Sequence, residues 1–360
     1  MKKVMESVDE TTWRSSAAEP FAALWKHDPD SVYFWRISSN AAFVLNVDGQ
    51  RHFLRFNLAE ERGLSEVEAE IRILRALEKG SVRAAQPIPS LTGKLVETLE
   101  WNGDVYHAAL FEGMPGEHPD DEDLTESQCL RWGEELGRLH AEFAAMPVQT
   151  WQGRGDWRRD LARMRQMLRE DTPIVRRTLE RAAAEMEALC AERPETLVHF
   201  DFEMDNLLWQ DGKIAIIDFD DCRVYPPGAD IEYAIRSLRT AEDAAQIAQP
   251  TQLEQPDRAA ASAQPAQTQA FLHGYAQYSP YPLPSDRELK LFRRWHRLYL
   301  LASMRRELDA VAGEARPEWQ SRLESRFAER EAQLRQQIET EAAEDTATDP
   351  ATPESDGEQQ

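Results

Sequence analysis

From residue 31 to 58 the hydrophobic positions fall in short strand-like runs parted by polar turns. The runs SVYFWRI, FVLNV and HFLRF are rich in valine and aromatic residues, and the Asp48-Gly49 pair between the last two predicts a two-residue hairpin. A different period follows. In SEVEAEIRILRALEKG, Val67, Ile71, Leu74 and Leu77 recur at helical spacing and Gly80 marks a stop. Two more strand-like runs, KLVETLEW and DVYHAALFE, are joined by Asn102-Gly103. The first hundred or so residues therefore predict a small antiparallel sheet with one main helix.

From Glu117 the pattern lengthens into helices. After the acidic loop EHPDDED, Thr125 and Gln128 are spaced as a capping box ahead of a stripe that includes Leu136, Leu139 and Phe143. DWRRDLARMRQML and TPIVRRTLERAAAEMEALC predict two further helices, the second opened by Thr172 as N-cap and Pro173 at the first helical position. QAFLHGYAQY and SDRELKLFRRWHRLYLLASMRRELDAV predict closing helices, and a charged helix follows around residues 317 to 338. Residues 241 to 268, rich in Ala, Gln and Pro without an apolar period, read as a surface insertion with at most partial helix.

Composition adds boundaries. A chain of 360 residues exceeds one ordinary core and suits two lobes plus extensions. The expected division is 1–30 as an N-terminal extension, 31–112 as a small lobe, 113–335 as a large lobe, and 336–360 as a disordered acidic tail. Net charge is -23, from 65 acidic and 42 basic residues, which argues against nucleic acid as a partner. Three cysteines without metal-ligand spacing point to a reducing compartment. The N-terminus lacks the apolar stretch of a signal peptide, and no run is long enough to span a bilayer. The expectation is a soluble cytoplasmic protein without membrane partners; its oligomeric state leaves no signature.

The chemistry gathers in LVHFDFEMDNLLWQDGKIAIIDFDDC, residues 197 to 222. Asp211-Gly212, flanked by LLWQ and KIAII, is a hairpin signal. Folding the chain there brings Asn206 and Asp218 together at the open end. An amide oxygen beside a carboxylate suits Mg²⁺, which keeps waters and borrows phosphate oxygens. Asp201, near the end of the strand TLVHFD, can reach a substrate hydroxyl held against that site. HxDxxxxN, then a hairpin and IDxD, is how kinases arrange a base and two metal ligands for phosphoryl transfer. Capping and turn chemistry is the plainer alternative for the same three residues.

In these residues, and in their order, the chain resembles the aminoglycoside phosphotransferase and choline kinase-like family. His199, Asp201, Asn206 and Asp218 match that family's catalytic loop and metal aspartate. LGRLHAEF (Leu136 to Phe143) is similar to its helix after the hinge, and ADIEYAIRSL (Ala229 to Leu238) to its post-catalytic helix; the resemblance spans most of residues 31 to 310. It implies an α+β, protein kinase-like fold of two lobes, with ATP and Mg²⁺ as cofactors. The implied activity is transfer of the γ-phosphoryl group to a hydroxyl of a small molecule, an aminoglycoside or amino alcohol for example. Asp201 would be the catalytic base, Asn206 and Asp218 the metal ligands, and His199 a brace for the loop, a place a plain core histidine would also fill. ALFEGMPGE resembles the hinge between lobes, where the backbone at Glu112 and Met114 would bond adenine.

A kinase small lobe also needs a cation on its third strand, held by a helix carboxylate. HFLRFN offers Arg55 where lysine is usual, and the two are not equivalent toward phosphate. Glu70 falls on the buried stripe of its helix and is the expected partner of Arg55, with Arg72 or Arg75 as the in-helix alternative. Ser38, Ser39 and Asn40 occupy the turn where a glycine-rich loop would cover phosphate. Glu203, Asp205, Asp220 and Asp221 add negative charge near the acceptor, either for an amine-bearing substrate or paired to Arg223 and its neighbours. Two rival readings remain open. One is a catalytically silent kinase-like module that binds nucleotide. The other is a haloacid dehalogenase-type phosphatase with Asp218 as nucleophile and Asp220 as acid/base.

Overall fold

Three Asx-Gly pairs set the hairpins. The structure, a computed structural model, describes residues 2–9, 11–37, 40–119, 124–248, 266–311 and 318–348. In each pair, Asp48-Gly49, Asn102-Gly103 and Asp211-Gly212, both residues have positive φ, between 51° and 82°. That geometry matches the right-handed twist of the strands on either side. The chain divides into two compact units, Met1–Arg154 with Thr196–Leu283, and Gly155–Glu195 with Pro284–Gln360.

The first unit opens with a six-stranded sheet. Strands β1 (Tyr33–Ile37), β2 (Ala41–Val47), β3 (Gln50–Leu58), β7 (Asp104–Glu112) and β5 (Pro87–Ile88) lie in the order β1-β2-β3-β7-β5, and β6 (Glu97–Trp101) also pairs β7. Strand alternation sorts its side chains. Phe43, Leu54, Phe56 and Tyr106 go to one face, and Phe53, Arg55 and Phe111 to the other, which lines a cleft. Residues 1–30, set apart above as an extension, cover the first face. Helices α1 (Lys2–Glu6) and α2 (Ala18–Ala22) bring Val4 and Phe21 onto it, and Trp25 follows just after α2. Phe21 stacks on Phe56 at 4.2 Å, Phe56 stacks on Phe43 at 5.5 Å, and the Trp25 indole donates to the Ile88 carbonyl at 2.8 Å. Burying each large apolar side chain contributes about 1.5–3 kcal/mol.

Helix α3 (Leu64–Leu77) buries Val67, Ile71, Leu74 and Leu77 as its period predicted, with Glu70 among them. Helix α4 (Glu126–Ala145) starts at the predicted capping box, the Thr125 hydroxyl accepting from the Gln128 N–H at 3.3 Å. The short α5 (Val148–Trp151) follows. Helix α8 (Gly228–Ala248) runs through the first part of the stretch expected as an insertion, and α9 (Ala266–Tyr278) begins at its end; residues 249–265 lie outside the described residues. Helices α4 and α9 meet backbone to backbone. A Cβ on Gly133 would fall 1.9 Å from the Phe271 carbonyl oxygen, and one on Gly274 2.1 Å from that of Leu130. Gly133→Ala is therefore expected to destabilise the protein by about 1–3 kcal/mol through overpacking. A denaturant midpoint equal to that of the unmodified chain would show instead that the helices part freely.

The second unit holds α6 (Trp157–Met167), α7 (Pro173–Glu192), α10 (Asp286–Val311) and α11 (Glu318–Thr348). Thr172 caps α7 as predicted, accepting from the Val175 N–H at 3.3 Å. Trp157 meets Trp295 edge-on at 5.9 Å, and the buried Asp171 carboxylate accepts two bonds of 3.0 Å from Arg335. Helix α11 extends to Thr348, so residues 336–348, expected in the tail, are helical. Leu334 and Ile338 explain why: they lie four apart on one face and both are buried. Residues 349–360 and 120–123 lie outside the described residues. Among the described residues no helix is long and apolar enough to cross a membrane.

Candidate active site

Strand β8 (Thr196–Val198), paired with β11 (Arg223–Tyr225), delivers the chain to His199. The His199 ring is fully buried; its Nε2–H donates to the Ile217 carbonyl at 3.1 Å and it packs edge-on to Phe219 at 4.8 Å. Behind it lies a carboxylate not singled out from sequence. Asp230, near the start of α8, accepts from the His199 N–H at 2.7 Å and the Phe200 N–H at 2.6 Å. Its Oδ2 also takes the Nε2–H of His140, 3.0 Å away, whose Nδ1 accepts from the Tyr275 hydroxyl at 2.8 Å. Phe200 needs this restraint because its φ of 70° is left-handed, a strained conformation for a bulky side chain. Its ring is further fixed by the Arg223 guanidinium at 4.1 Å and Tyr225 at 4.9 Å.

Beyond Phe200 the loop turns through Met204–Asn206 into β9 (Leu207–Gln210) and back along β10 (Lys213–Ile216), which also runs parallel to β4 (Arg83–Ala84). The register Leu207↔Ile216 and the 3.0 Å bond from the Ile217 N–H to the Asn206 carbonyl bring Asp218 beside Asn206. The Asn206 Nδ2 donates to the Asp201 carbonyl at 2.9 Å and to its Oδ2 at 2.8 Å, and among the described residues no hydrogen bond reaches Asn206 Oδ1. The Asp218 carboxylate faces two guanidinium groups, Arg55 at 3.2 Å on Oδ1 and Arg36 on Oδ2. Burial nonetheless holds its pKa above the usual carboxylate range. Among the described residues no group of three or more His, Cys, Asp or Glu side chains could hold a metal ion. An orphan amide oxygen beside a carboxylate that already draws cations fits a divalent ion taking its other ligands from phosphate and water.

Arg55 links this pair to the sheet. It bonds Glu70, which is 1% exposed and lies among apolar side chains, and its guanidinium lies 4.8 Å from the Phe111 ring centroid. The in-helix alternatives are engaged elsewhere: Arg72 bonds the Thr150 and Gln152 carbonyls and Arg75 pairs with Glu78. Asp220 accepts from Arg62 at 2.9 Å and from the Asn40 amide at 3.3 Å. Burial would raise the Asp220 pKa, but Arg62, Arg55 and Arg154 together push it well below the usual range. Asp221 pairs with Arg223 at 2.7 Å and Arg62 at 3.3 Å. Arg154 staples the turn after Asp218, donating to the carbonyls of Cys222, Asp220 and Glu66.

The four acidic residues assigned to the acceptor side thus do not gather. Asp220 and Asp221 lie under arginines, and Asp205 lines the cleft with Asn40, Glu112 and Met114. Glu203 bonds Arg236, whose guanidinium lies 3.6 Å from the Tyr233 ring centroid, and the Tyr233 hydroxyl bonds Asp201. Burial, then the charge of Asp201, raise the Glu203 pKa. The cleft measures about 630 Å³, within the range of small-ligand sites. At one end of it Glu112 spends its N–H on the Gln86 carbonyl at 2.9 Å, while the Met114 N–H bonds no backbone carbonyl among the described residues. Ser38 and Ser39 lie outside the described residues.

Sheet, hinge, catalytic loop and hairpin together define a kinase-like protein of the α+β class. Residues 35–263 match the phosphotransferase enzyme family, and the chain belongs to that family. The match removes the dehalogenase reading, and Asp218 leaves an antiparallel hairpin. The amicoumacin kinase of Bacillus subtilis (strain 168) is 28% identical over 204 residues, which is 56% of this chain and 61% of that one. The chain thus matches less than two thirds of that curated relative. Among solved structures, an amicoumacin kinase in complex with AMP-PNP and Ca²⁺ superposes with a TM-score of 0.70 at 19% identity, covering 94% of this chain and 96% of the other. A microcompartment-associated aminopropanol kinase gives 0.58 at 20% identity, over 91% and 98%. Both show the fold.

Proposed function

We propose that the protein is an ATP-dependent phosphotransferase that moves the γ-phosphoryl group to a hydroxyl of a small, amine-bearing molecule. One observation carries the reading: the Asn206 amide clasps Asp201 while the Asn206 carbonyl accepts from Ile217, the neighbour of Asp218. Base and two metal-ligand oxygens therefore converge from three points of the chain. Asp201, oriented by Asn206 and by the Tyr233 hydroxyl, accepts the proton of the acceptor hydroxyl. A divalent ion at Asn206 Oδ1 and Asp218 would neutralise charge on the β- and γ-phosphates, and Mg²⁺ suits so small a protein ligand set. Arg55, fixed by Glu70, faces the same phosphates, with Asn40 at the turn above them. The Glu112 carbonyl and Met114 N–H receive adenine.

In this reading residues 31–112 form the nucleotide-binding lobe and 113–335 the catalytic one. Glu203, beside Asp201, exchanges Arg236 for the ammonium of an acceptor, while Asp220 and Asp221 anchor arginines. Relatives named for amicoumacin and aminopropanol support such an acceptor. Three cysteines that form no disulfide suit the cytoplasm, where ATP is abundant.

The test is transfer of labelled γ-phosphate from ATP to a panel of amino alcohols, aminoglycosides and hydroxy amino acids, with and without Mg²⁺. Mg²⁺-dependent labelling of at least one amine-bearing acceptor is expected. If the chain binds nucleotide and labels nothing in the panel, the silent nucleotide-binding module replaces this proposal.

A further inference from the structure

Arg36 reaches the cleft through a device of the backbone. Strands β1 and β2 pair at Phe34↔Phe43 and again at Arg36↔Ala42, so β1 carries one extra residue, Trp35, between the two pairs. Neighbours on a regular strand face opposite ways. A bulge re-aims a side chain, and here Trp35 and Arg36 both line the cleft. The Arg36 guanidinium meets Asp218, 182 residues further along the chain.

Two arginines thus share Asp218 and differ in what holds them. The Arg55 side chain is 10% exposed and pinned by Glu70; that of Arg36 is 48% exposed and has Asp218 as its one ion-pair partner among the described residues. A divalent cation held by Asn206 and Asp218 would repel both guanidinium groups, and Arg36, the more exposed and less pinned, is the one that could leave. Phosphates chelated to that cation would enter the cleft that Arg36 and Asp218 both line. A guanidinium matches paired phosphate oxygens.

We propose that Arg36 is a phosphate-binding residue that competes with the divalent cation for Asp218 and, once displaced, binds the phosphates of the nucleotide. This rests on the phosphotransferase reading. It is an exchange of ion pairs in which no covalent bond changes. It also divides the work of the absent lysine: Arg55, with Glu70 and Asp218 on its terminal nitrogens, braces helix to loop, and Arg36 supplies the mobile charge.

The experiment compares the full chain with Arg36→Gln and Arg36→Lys, measuring Mn²⁺ binding alone by electron paramagnetic resonance and Mg·AMP-PNP binding by calorimetry. Thermal unfolding without ligands verifies that each variant is folded. Arg36→Gln is expected to bind Mn²⁺ alone more tightly and Mg·AMP-PNP more weakly, each by about tenfold for one charge-assisted contact. Arg36→Lys falls between. Affinities that stay unchanged, move in the same direction, or change singly overturn the proposal. A wild-type chain that binds no Mg·AMP-PNP overturns the phosphotransferase reading and this proposal with it, so the two failures are told apart.

Discussion

Asp201→Asn is expected to lower phosphoryl transfer by about 10²- to 10⁴-fold, the contribution of a positioned general base, with nucleotide affinity unchanged. The substitution keeps shape and one carbonyl-type oxygen, so the Asn206 Nδ2 still finds an acceptor where Asp201 Oδ2 stood at 2.8 Å. What it removes, under the proposed function, is the site that would receive the acceptor's proton. Nucleotide contacts are spared because the cleft is lined by Arg55, Asp218, Glu112 and Met114 rather than by Asp201. Single-turnover transfer of labelled phosphate, with calorimetry on the same sample, separates the two effects. Turnover within a few-fold of wild type would mean that another group takes the proton.

Asp230→Ala is expected to cost about 3–5 kcal/mol of stability, because three buried donors lose their acceptor at about 1–3 kcal/mol each. Asp230 and His140 are both fully buried. Without the carboxylate, the N–H groups of His199 and Phe200 and the Nε2–H of His140 lose their shared acceptor. Each stranded donor adds a desolvation penalty. The left-handed Phe200 would also be free to relax, and that moves Asp201, the next residue. Denaturant unfolding should therefore show the loss together with a fall in kcat, and Asp230→Asn, which keeps one acceptor oxygen, should lie between. A loss below about 1 kcal/mol would show that the catalytic loop is held by other contacts.

The parts legible in the sequence were those whose cause is local. Asp48-Gly49, Asn102-Gly103 and Asp211-Gly212 carry their turn chemistry in two residues, and the last pair alone sets Asn206 against Asp218. Helical period placed Glu70 on the buried face of α3, which left Arg55 as its partner. The remainder depends on contacts distant in sequence or made by backbone. Arg36 is aimed by a bulge that has no one-residue signature, toward a partner 182 positions away. His140 and Asp230 stood inside the two helical segments that carried the resemblance, yet the groups Asp230 serves are mostly backbone N–H groups. Asp220 read as possible acceptor charge because Arg62, 158 residues away, cannot be paired with it from spacing.

The aromatic stack beneath the sheet bears on where the folding unit begins. Similarity to the family starts at residue 35, but Phe43, Phe56 and Tyr106 are roofed by Phe21 and Trp25. A chain trimmed to the region of similarity would present that aromatic surface to water as a contiguous sticky patch, and such patches drive self-association. The first thirty residues thus act as a built-in solubility cover of the sheet, although the match to the family begins only at residue 35.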